Sequence, residues 1–470
     1  MNFVQVEFPI FFAVILALYW GLGDVRRQNL LLLVASAVFY GWIHPWFVIL
    51  LYAASTVDFA TTNLMARYPG SRRALLAVSV VTNLGLLGFF KYFDFFAENF
   101  AAAATALGLP LHPATLGVLL PVGISFYTFQ TLGYTIDVYR GELKPRSSFL
   151  EYILYVSFFP QLVAGPIERA GRLLPQLENP RRLSWAAFES GLGLALWGAF
   201  KKMVIADSIS PYVDKIYVLQ DPAGPLIWAA TAGFMLQIFA DFSGYTDIAR
   251  GTARMLGFEL MENFRAPFLA TSTSEFWQRW HISLSSWIRD YLLGPLVGDA
   301  GASRARFAVM TMVTFVIMGF WHGPSWNFAL FGLYHGFWTV TQGLLARRFA
   351  GITRLPGWRA FAIGFQLVVV GLVGTLLFRE HSVARIVQHL SKSPFRATQD
   401  EWVATTVVLS MTLVGWAPLL WGFAWDRVAA PRLARSEWAF PLRTSMWAVY
   451  ALAMWICYRV TAQDFVYFQF

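Results

Sequence analysis

Seven histidines and one cysteine set the range of chemistry open to this chain. A single cysteine, Cys457, excludes an intrachain disulfide and any paired-cysteine metal site, and its apolar surroundings argue against a reactive thiolate. No two histidines form an HxxxH pair, so no metal site is expected. G-x-S-x-G, P-loop and G-x-G-x-x-G patterns are absent, which leaves hydrolase, nucleotide-hydrolysis and dinucleotide readings without support. Acid–base work remains, and the residue best placed for it is His322, in the run FWHGPSWNF at 320–328. An imidazole beside a helix broken at Pro324 is costly at membrane depth unless it lines a cavity or has a partner. One reading is a core histidine bonded to a neighbouring carbonyl. The other is a base that accepts a proton from a hydroxyl while that hydroxyl attacks an activated acyl group. A thioester donor needs no metal for this, only a base, an oriented carbonyl and exclusion of water. Trp321, Trp326 and Trp338 are candidate water-excluding walls, with a membrane-interface belt as the alternative. Asn327 is a candidate for orienting a polar group, and Tyr334 for contacting substrate alongside Trp321. His335 lies 13 positions beyond His322, a spacing that puts the two on different helix faces.

The elements that must hold these residues are membrane helices. The chain has 470 residues, 57% hydrophobic and 13% charged, about half the charge of a soluble domain. Apolar runs of spanning length recur from end to end, at 8–22, 29–43, 45–65, 74–90, 114–136, 186–204, 226–249, 307–321, 326–345, 360–378, 402–424 and 444–461. This predicts an all-α, polytopic membrane protein of roughly 11–12 transmembrane helices, read as one membrane domain over 1–470 with its core motifs at 152–345. The first run has no basic segment before it and carries Glu7, so it reads as a membrane helix rather than a cleaved signal. The formal charge of +9 is spread over short clusters between apolar runs, the pattern of cytoplasmic loops rather than of a nucleic-acid surface. That asymmetry predicts both termini outside, with the loops bearing Arg26, Arg140 and Arg254 in the cytoplasm; the loop with Arg379, Arg385, Lys392 and Arg396 is the exception.

Two segments do not read as plain loops. The apolar stretch 152–165 is too short to span and is interrupted by Pro160, which predicts a re-entrant segment. The stretch 272–293 reads as one amphipathic helix opened by a capping box of Ser272 and Glu275. Its wheel gathers Phe276, Trp277, Trp280, Leu284 and Trp287 on one face and Arg279, Ser283, Arg289 and Asp290 on the other, with His281 at the seam. Arg279 and Arg289 are candidates for binding donor phosphates, with anionic lipid headgroups as the alternative partner. Gln237, Asp241 and Asp247, within apolar runs, read as packing or hydrogen-bonding groups.

Four blocks in order, FFPQLVAGPIERA at 158–170, DFSGYTDIARGTARMLG at 241–257, FWQRWHISLSSWIRDYL at 276–292 and FWHGPSWNFALFGLYHG at 320–336, resemble the membrane-bound O-acyltransferases. The closing FVYFQF at 465–470 is similar to the branch that acetylates bacterial exopolysaccharides such as alginate. The resemblance implies a helical shell around a central tunnel, with His322 as the catalytic histidine and His281 as the family's second polar position. It implies acetyl-CoA as donor and no further cofactor. The acyl group would pass across the inner membrane to a periplasmic acetyltransferase partner or the polysaccharide itself. At 293–299 the chain reads LGPLVGD where the resemblance leads one to expect something nearer YIPLGG, a departure that bears on which polysaccharide is used. Transfer of D-alanine to teichoic acid is the sibling alternative, and a transporter that uses His322 only as a proton site is the alternative from another class.

Overall fold

A computed structural model describes residues 1–163, 165–298, 303–348, 351, 355–433 and 436–458. Among these the chain is helical, with no strand beyond one bridge pair between Phe264 and Trp280. Among the described residues six helices are long and apolar enough to cross a membrane: Trp46–Arg67, Pro69–Ala106, Gly224–Met255, Arg304–His322, Trp358–Arg379 and Gln399–Leu433. Helices also occupy the other expected positions but are shorter or more polar, as in Glu7–Gly21, Val25–Gly41 and Ala439–Ile456. The protein is a multi-pass helical membrane protein, as expected.

Two boundaries differ from the expectation. The run expected at 74–90 continues through a π turn at Gly88–Tyr92 as far as Ala106. The run expected at 114–136 becomes helical only at Ile124, after Gly123 takes a left-handed φ of 77°. A Cβ on Gly123 would lie 2.7 Å from the Leu162 carbonyl, so both conformation and space demand glycine there. The motif at 465–470 lies outside the described residues.

The described chain divides into two compact units. The first comprises Met1–Leu192, Ala249–Glu262 and Arg289–Tyr291. Within it the apolar stretch at 152–163 breaks into Phe149–Ser157 and Phe159–Leu162 and is wholly buried, so it forms no continuous span. Pro160 sits in the first turn of the second piece, where its missing N–H costs nothing.

The second unit comprises Gly193–Ile248, Asn263–Ile288 and Leu292–Phe470. Helix Trp185–Phe200 opens into a π turn at Lys201–Ala206, and the two lysines there meet carboxylates. Lys202 Nζ lies 2.9 Å from Asp207 and 2.7 Å from Asp241; Lys201 Nζ lies 2.6 Å from Asp247 and 2.9 Å from Ser243 Oγ. Asp241 and Asp247 are thus ion-paired, which is how a charge persists among apolar helices.

The same unit holds the hairpin that carries His322. Ser303 caps its first helix, accepting from the Arg306 N–H at 3.2 Å, and the helix ends at Gly323 in extended backbone just before Pro324. The second helix, Trp326–Arg348, packs back along the first with unusually close backbones. A Cβ on Gly319 would lie 2.1 Å from the Phe328 carbonyl oxygen, and one on Gly332 2.3 Å from that of Phe315. Small residues at a helix seam permit this approach where lipid supplies no hydrophobic drive.

Candidate active site

A narrow cavity of about 60 Å³ opens beside the hairpin within the second unit. The hairpin supplies His322, Phe331 and His335 to its wall; helix Thr273–Arg279 and the residue after it supply Phe276, Trp277 and Trp280. Segments Gln366–Leu372 and Val373–Arg379 add Gln366, Gly374 and Phe378.

His322 is 4% exposed, and its Nδ1 lies 2.8 Å from the Met318 carbonyl oxygen. A carbonyl can only accept, so Nδ1 carries the hydrogen and Nε2 is the basic nitrogen of the neutral ring. The carbonyl contact that an ordinary core histidine would make therefore also sets the tautomer a base requires. The ring packs edge-on to Phe378 at 5.3 Å and Phe331 at 5.8 Å.

His335 overturns an expectation. It lines the same cavity, with its ring 4.5 Å from that of Phe331. The 13-residue spacing would separate the two histidines on one continuous helix, but the chain reverses at 323–325. Antiparallel packing then returns Phe331 and His335, one turn apart on one face, to the side of His322. Gly332 and Gly336 form a G-x-x-x-G seam legible in the sequence, and that signal could have found the pairing.

The single helix expected at 272–293 is also corrected. It breaks into Thr273–Arg279 and Ile282–Ile288, with a π turn at Arg289–Leu293. His281 stands at the break with a φ of 45°, in the left-handed region that costs a non-glycine residue about 1–2 kcal/mol. What holds it is 263–265, lying alongside: the Arg265 N–H donates to the Arg279 carbonyl at 2.9 Å, and the Ile282 N–H to that of Asn263 at 3.0 Å. Asn263 Oδ1 also accepts from Ser283 Oγ at 2.7 Å. His281 is fully buried, edge-on to Phe242 at 4.6 Å, and the Trp321 ring lies 6.1 Å from it and 5.0 Å from His322. Trp321 therefore packs against both histidines rather than lining the cavity. The capping box is half formed: Ser272 accepts from the Glu275 N–H, but the Glu275 carboxylate reaches Thr271 instead.

Asn327 is buried, and its Nδ2 donates to the Leu377 and Phe378 carbonyls at 3.0 and 3.3 Å, tying the end of Val373–Arg379 to the hairpin. Tyr334 donates its hydroxyl to the Val369 carbonyl and lies outside the cavity wall. Trp326 is exposed, and Trp338 lines a second, wider cavity of about 510 Å³ with Trp358, Gln342 and Gln366. The aromatic walls around His322 come instead from Trp277, Trp280, Phe331 and Phe378, none of which sequence reasoning singles out as a wall.

Arg279 is paired with Glu275 at 2.6 Å. Arg289, in the first unit, is exposed and lies 2.8 Å from Asp290, whose other oxygen takes Arg169 at 2.9 Å. Arg140 and Arg169 both lie over the Tyr291 ring, at 5.3 and 4.5 Å, while the Tyr291 hydroxyl donates to Asp137 at 2.7 Å. Three guanidiniums thus gather at Asp290 and Tyr291, and two of them escape sequence reasoning because their partners are more than a hundred residues away. Among the described residues no group of histidines, cysteines and carboxylates could hold a metal ion.

The model of the membrane-bound O-acyltransferase (MBOAT) family matches residues 140–379, which take in the hairpin and the whole cavity wall. The chain is 39% identical over 368 residues to the probable alginate O-acetylase AlgI of Azotobacter vinelandii, spanning 77% of this chain and 72% of that one. It is 34% identical over 340 residues to the peptidoglycan O-acetyltransferase of Helicobacter pylori, 66% of this chain and 63% of that one. With the teichoic acid D-alanyltransferase of Bacillus subtilis the identity is 29% over 245 residues, 48% of this chain and 59% of that one. A buried histidine with its basic nitrogen set by the backbone, in a narrow aromatic cavity of a multi-pass membrane protein, accords with these matches: the chain belongs to the membrane-bound O-acyltransferase family and is an O-acyltransferase.

Proposed function

We propose that the protein, acting over its whole length as one enzyme of the inner membrane, takes acetyl from cytoplasmic acetyl-CoA. It passes the acetyl to a hydroxyl of an extracytoplasmic polysaccharide, alginate or a related polymer, directly or through a periplasmic acetyltransferase partner. The observation that carries this reading is His322, which lines a cavity of about 60 Å³ and whose Nδ1 meets the Met318 carbonyl, so that Nε2 is its basic nitrogen. The cavity is narrow, which suits a small acyl group. In the reaction Nε2 takes the acceptor's hydroxyl proton as the oxygen attacks the thioester carbonyl; the C–S bond breaks and the proton passes to the leaving thiolate.

Two further features support the reading. The wider cavity shares Gln366 with the narrow one, which suits the arm of a CoA-type donor. D-Alanyl transfer is disfavoured because an alanyl group carries an ammonium, and no Asp or Glu is among the described residues lining the narrow cavity. His281 and Asn327 act as positioning residues, His281 through Trp321 and Asn327 through Phe378.

The test is His322→Gln in the full chain. Loss of a positioned base costs about 10²–10⁴ in rate, so acetyl transfer from labelled acetyl-CoA should fall by that factor. Accumulation and thermal stability should stay near wild type. Transfer that persists in the variant would remove His322 from the chemistry.

A further inference from the structure

We propose that Gln342 and Gln366 read the amide groups of the acyl donor: their side-chain N–H groups hold two amide carbonyls of a pantetheine-type arm in the wider cavity and so select thioesters that carry one. The proposal rests on the acyl-transfer reading above and names the part of the donor that the cavity recognises. Gln342 lies on helix Trp326–Arg348 and Gln366 in the apolar span Trp358–Arg379. Both line the cavity of about 510 Å³, whose wall is otherwise largely aromatic and apolar, with Trp338, Trp358, Phe361 and Phe365. A primary amide in such a wall has acceptor and donor positions to satisfy, and unsatisfied ones are costly. One residue, Thr273, supplies the partners they have. Its backbone N–H donates to Gln342 Oε1 at 2.7 Å, and its hydroxyl donates to Gln366 Oε1 at 3.3 Å. Thr273 is fully buried and opens helix Thr273–Arg279, where the first N–H groups have no partner within the helix. A backbone N–H can only donate, so the Gln342 atom that meets it is the oxygen, and the NH₂ end is turned away. Neither Nε2 has a protein acceptor among the described residues, and neither is sealed in as an unpaired buried atom. Each opens onto the space its side chain lines.

Because one residue holds both oxygens, the two amides stand side by side and present neighbouring N–H donors to an apolar space. The ligand that fits is a flexible chain with two amide carbonyls in series, which a pantetheine arm has and a lipid tail lacks. Gln366 is the one described residue on the walls of both cavities, whereas Gln342 lines only the wider one. That difference orders the contacts along the arm. With the acetyl group in the narrow cavity, Gln366 takes the amide carbonyl nearer the thioester and Gln342 the one beyond it. A thioester without these carbonyls leaves the N–H groups unpaired, and a site built to bond a polar group discriminates strongly against an analogue that lacks it.

The experiment measures kcat/KM of the full-length protein for three acetyl thioesters. Acetyl-CoA carries both amides, S-acetyl-N-acetylcysteamine only the nearer one, and S-acetyl-2-mercaptoethanol none. Wild type should prefer the first two over the third. Gln366→Met, close to glutamine in size but without the donor, should shrink both preferences by about 3–10-fold, the worth of one neutral hydrogen bond. Gln342→Met should shrink the preference for acetyl-CoA by a similar factor and spare that for S-acetyl-N-acetylcysteamine. A merely structural role would lower all three turnovers in proportion and leave the preferences as they were. The proposal is overturned by such proportional losses, by unaltered preferences, or by Gln342→Met acting alike on both amide-bearing thioesters. A wild type without preference overturns it with no variant needed, which decides the matter should the variants not accumulate. An acetylated carrier protein bears the same arm, so wild type is also given that substrate: acetyl-CoA used in preference assigns the arm to the free cofactor. Wild-type protein that turns over no acetyl thioester would overturn the acetyl-transfer reading together with this one; an active wild type without preference overturns only this one.

Discussion

Placing His322 and His335 in one cavity depends on how closely the two hairpin helices approach, and Gly332→Ala perturbs that approach directly. The added methyl would stand 2.3 Å from the Phe315 carbonyl oxygen, whereas ordinary contact begins at 3.4 Å, a deficit of about 1.1 Å. The atoms it would meet are backbone atoms of Phe315 and Val316, which cannot swing aside as a side chain tip can. The helices must therefore part by about 1 Å. Overpacking of this kind typically costs about 1–3 kcal/mol, and misplacing reacting groups by about 1 Å costs about 10² in rate. Gly332→Ala should thus lose about 10² in kcat for acetyl transfer, with donor KM little changed and a modest fall in melting temperature. Gly343→Ala on the same helix is the control, since nothing lies within 4 Å of the Cβ it adds; it should keep wild-type kcat and hold stability within about 1 kcal/mol. Wild-type kcat in Gly332→Ala, or an equal loss in Gly343→Ala, would refute the claim that hairpin spacing sets the site.

Lys202→Met leaves Asp207 and Asp241 without their shared cation and should destabilise the protein by about 3–5 kcal/mol; unchanged thermal stability in detergent would show that the pair adds nothing to the fold. Arg289→Glu should raise the KM for acetyl-CoA several-fold without lowering kcat, and an unaltered KM would remove this arginine from donor binding. Burial holds the imidazole of His389, on helix Val383–Ser391, below its ordinary 6.5, while Glu380 at 3.5 Å pulls the other way and Arg385 and Lys392 add to the lowering. Because the folded value is the lower one, the contribution of His389 is complete above pH 6.5 and declines as pH falls from there toward the lowered value. Protection from hydrogen exchange over 383–391, corrected for the intrinsic pH dependence of exchange, should fall as pH drops below 6.5 in wild type and lose that dependence in His389→Leu; identical profiles would refute it.

Much of the site's chemistry is legible in the order of residues alone. Proline after glycine at 323–324 announces the hairpin break, and a histidine beside it in an apolar run announces a costly group with a purpose. The Ser272 cap and the aromatic face of Phe276, Trp277 and Trp280 are also readable from local pattern. Helical periodicity misleads wherever it extends one helix past a point at which the chain turns. His281 sits at a left-handed residue stabilised by 263–265, far enough away in sequence that no periodicity within 272–293 could reveal it.

The sequence by itself determined that the chain is a helical membrane protein, where its apolar runs lie, and that His322 is a costly group to keep among them. Apolar run length and residue type report these directly, because each depends on a residue and its near neighbours. Only the tertiary structure decided that His335 shares a cavity with His322, that Trp277 and Phe378 rather than Trp326 wall it, and that the Met318 carbonyl sets the tautomer of His322. Those facts depend on two antiparallel helices approaching to backbone contact at Gly319 and Gly332, and on a third segment packing beside them. Helical periodicity assigns a face to each residue along one axis, but which faces meet is settled by contacts between elements distant in the chain.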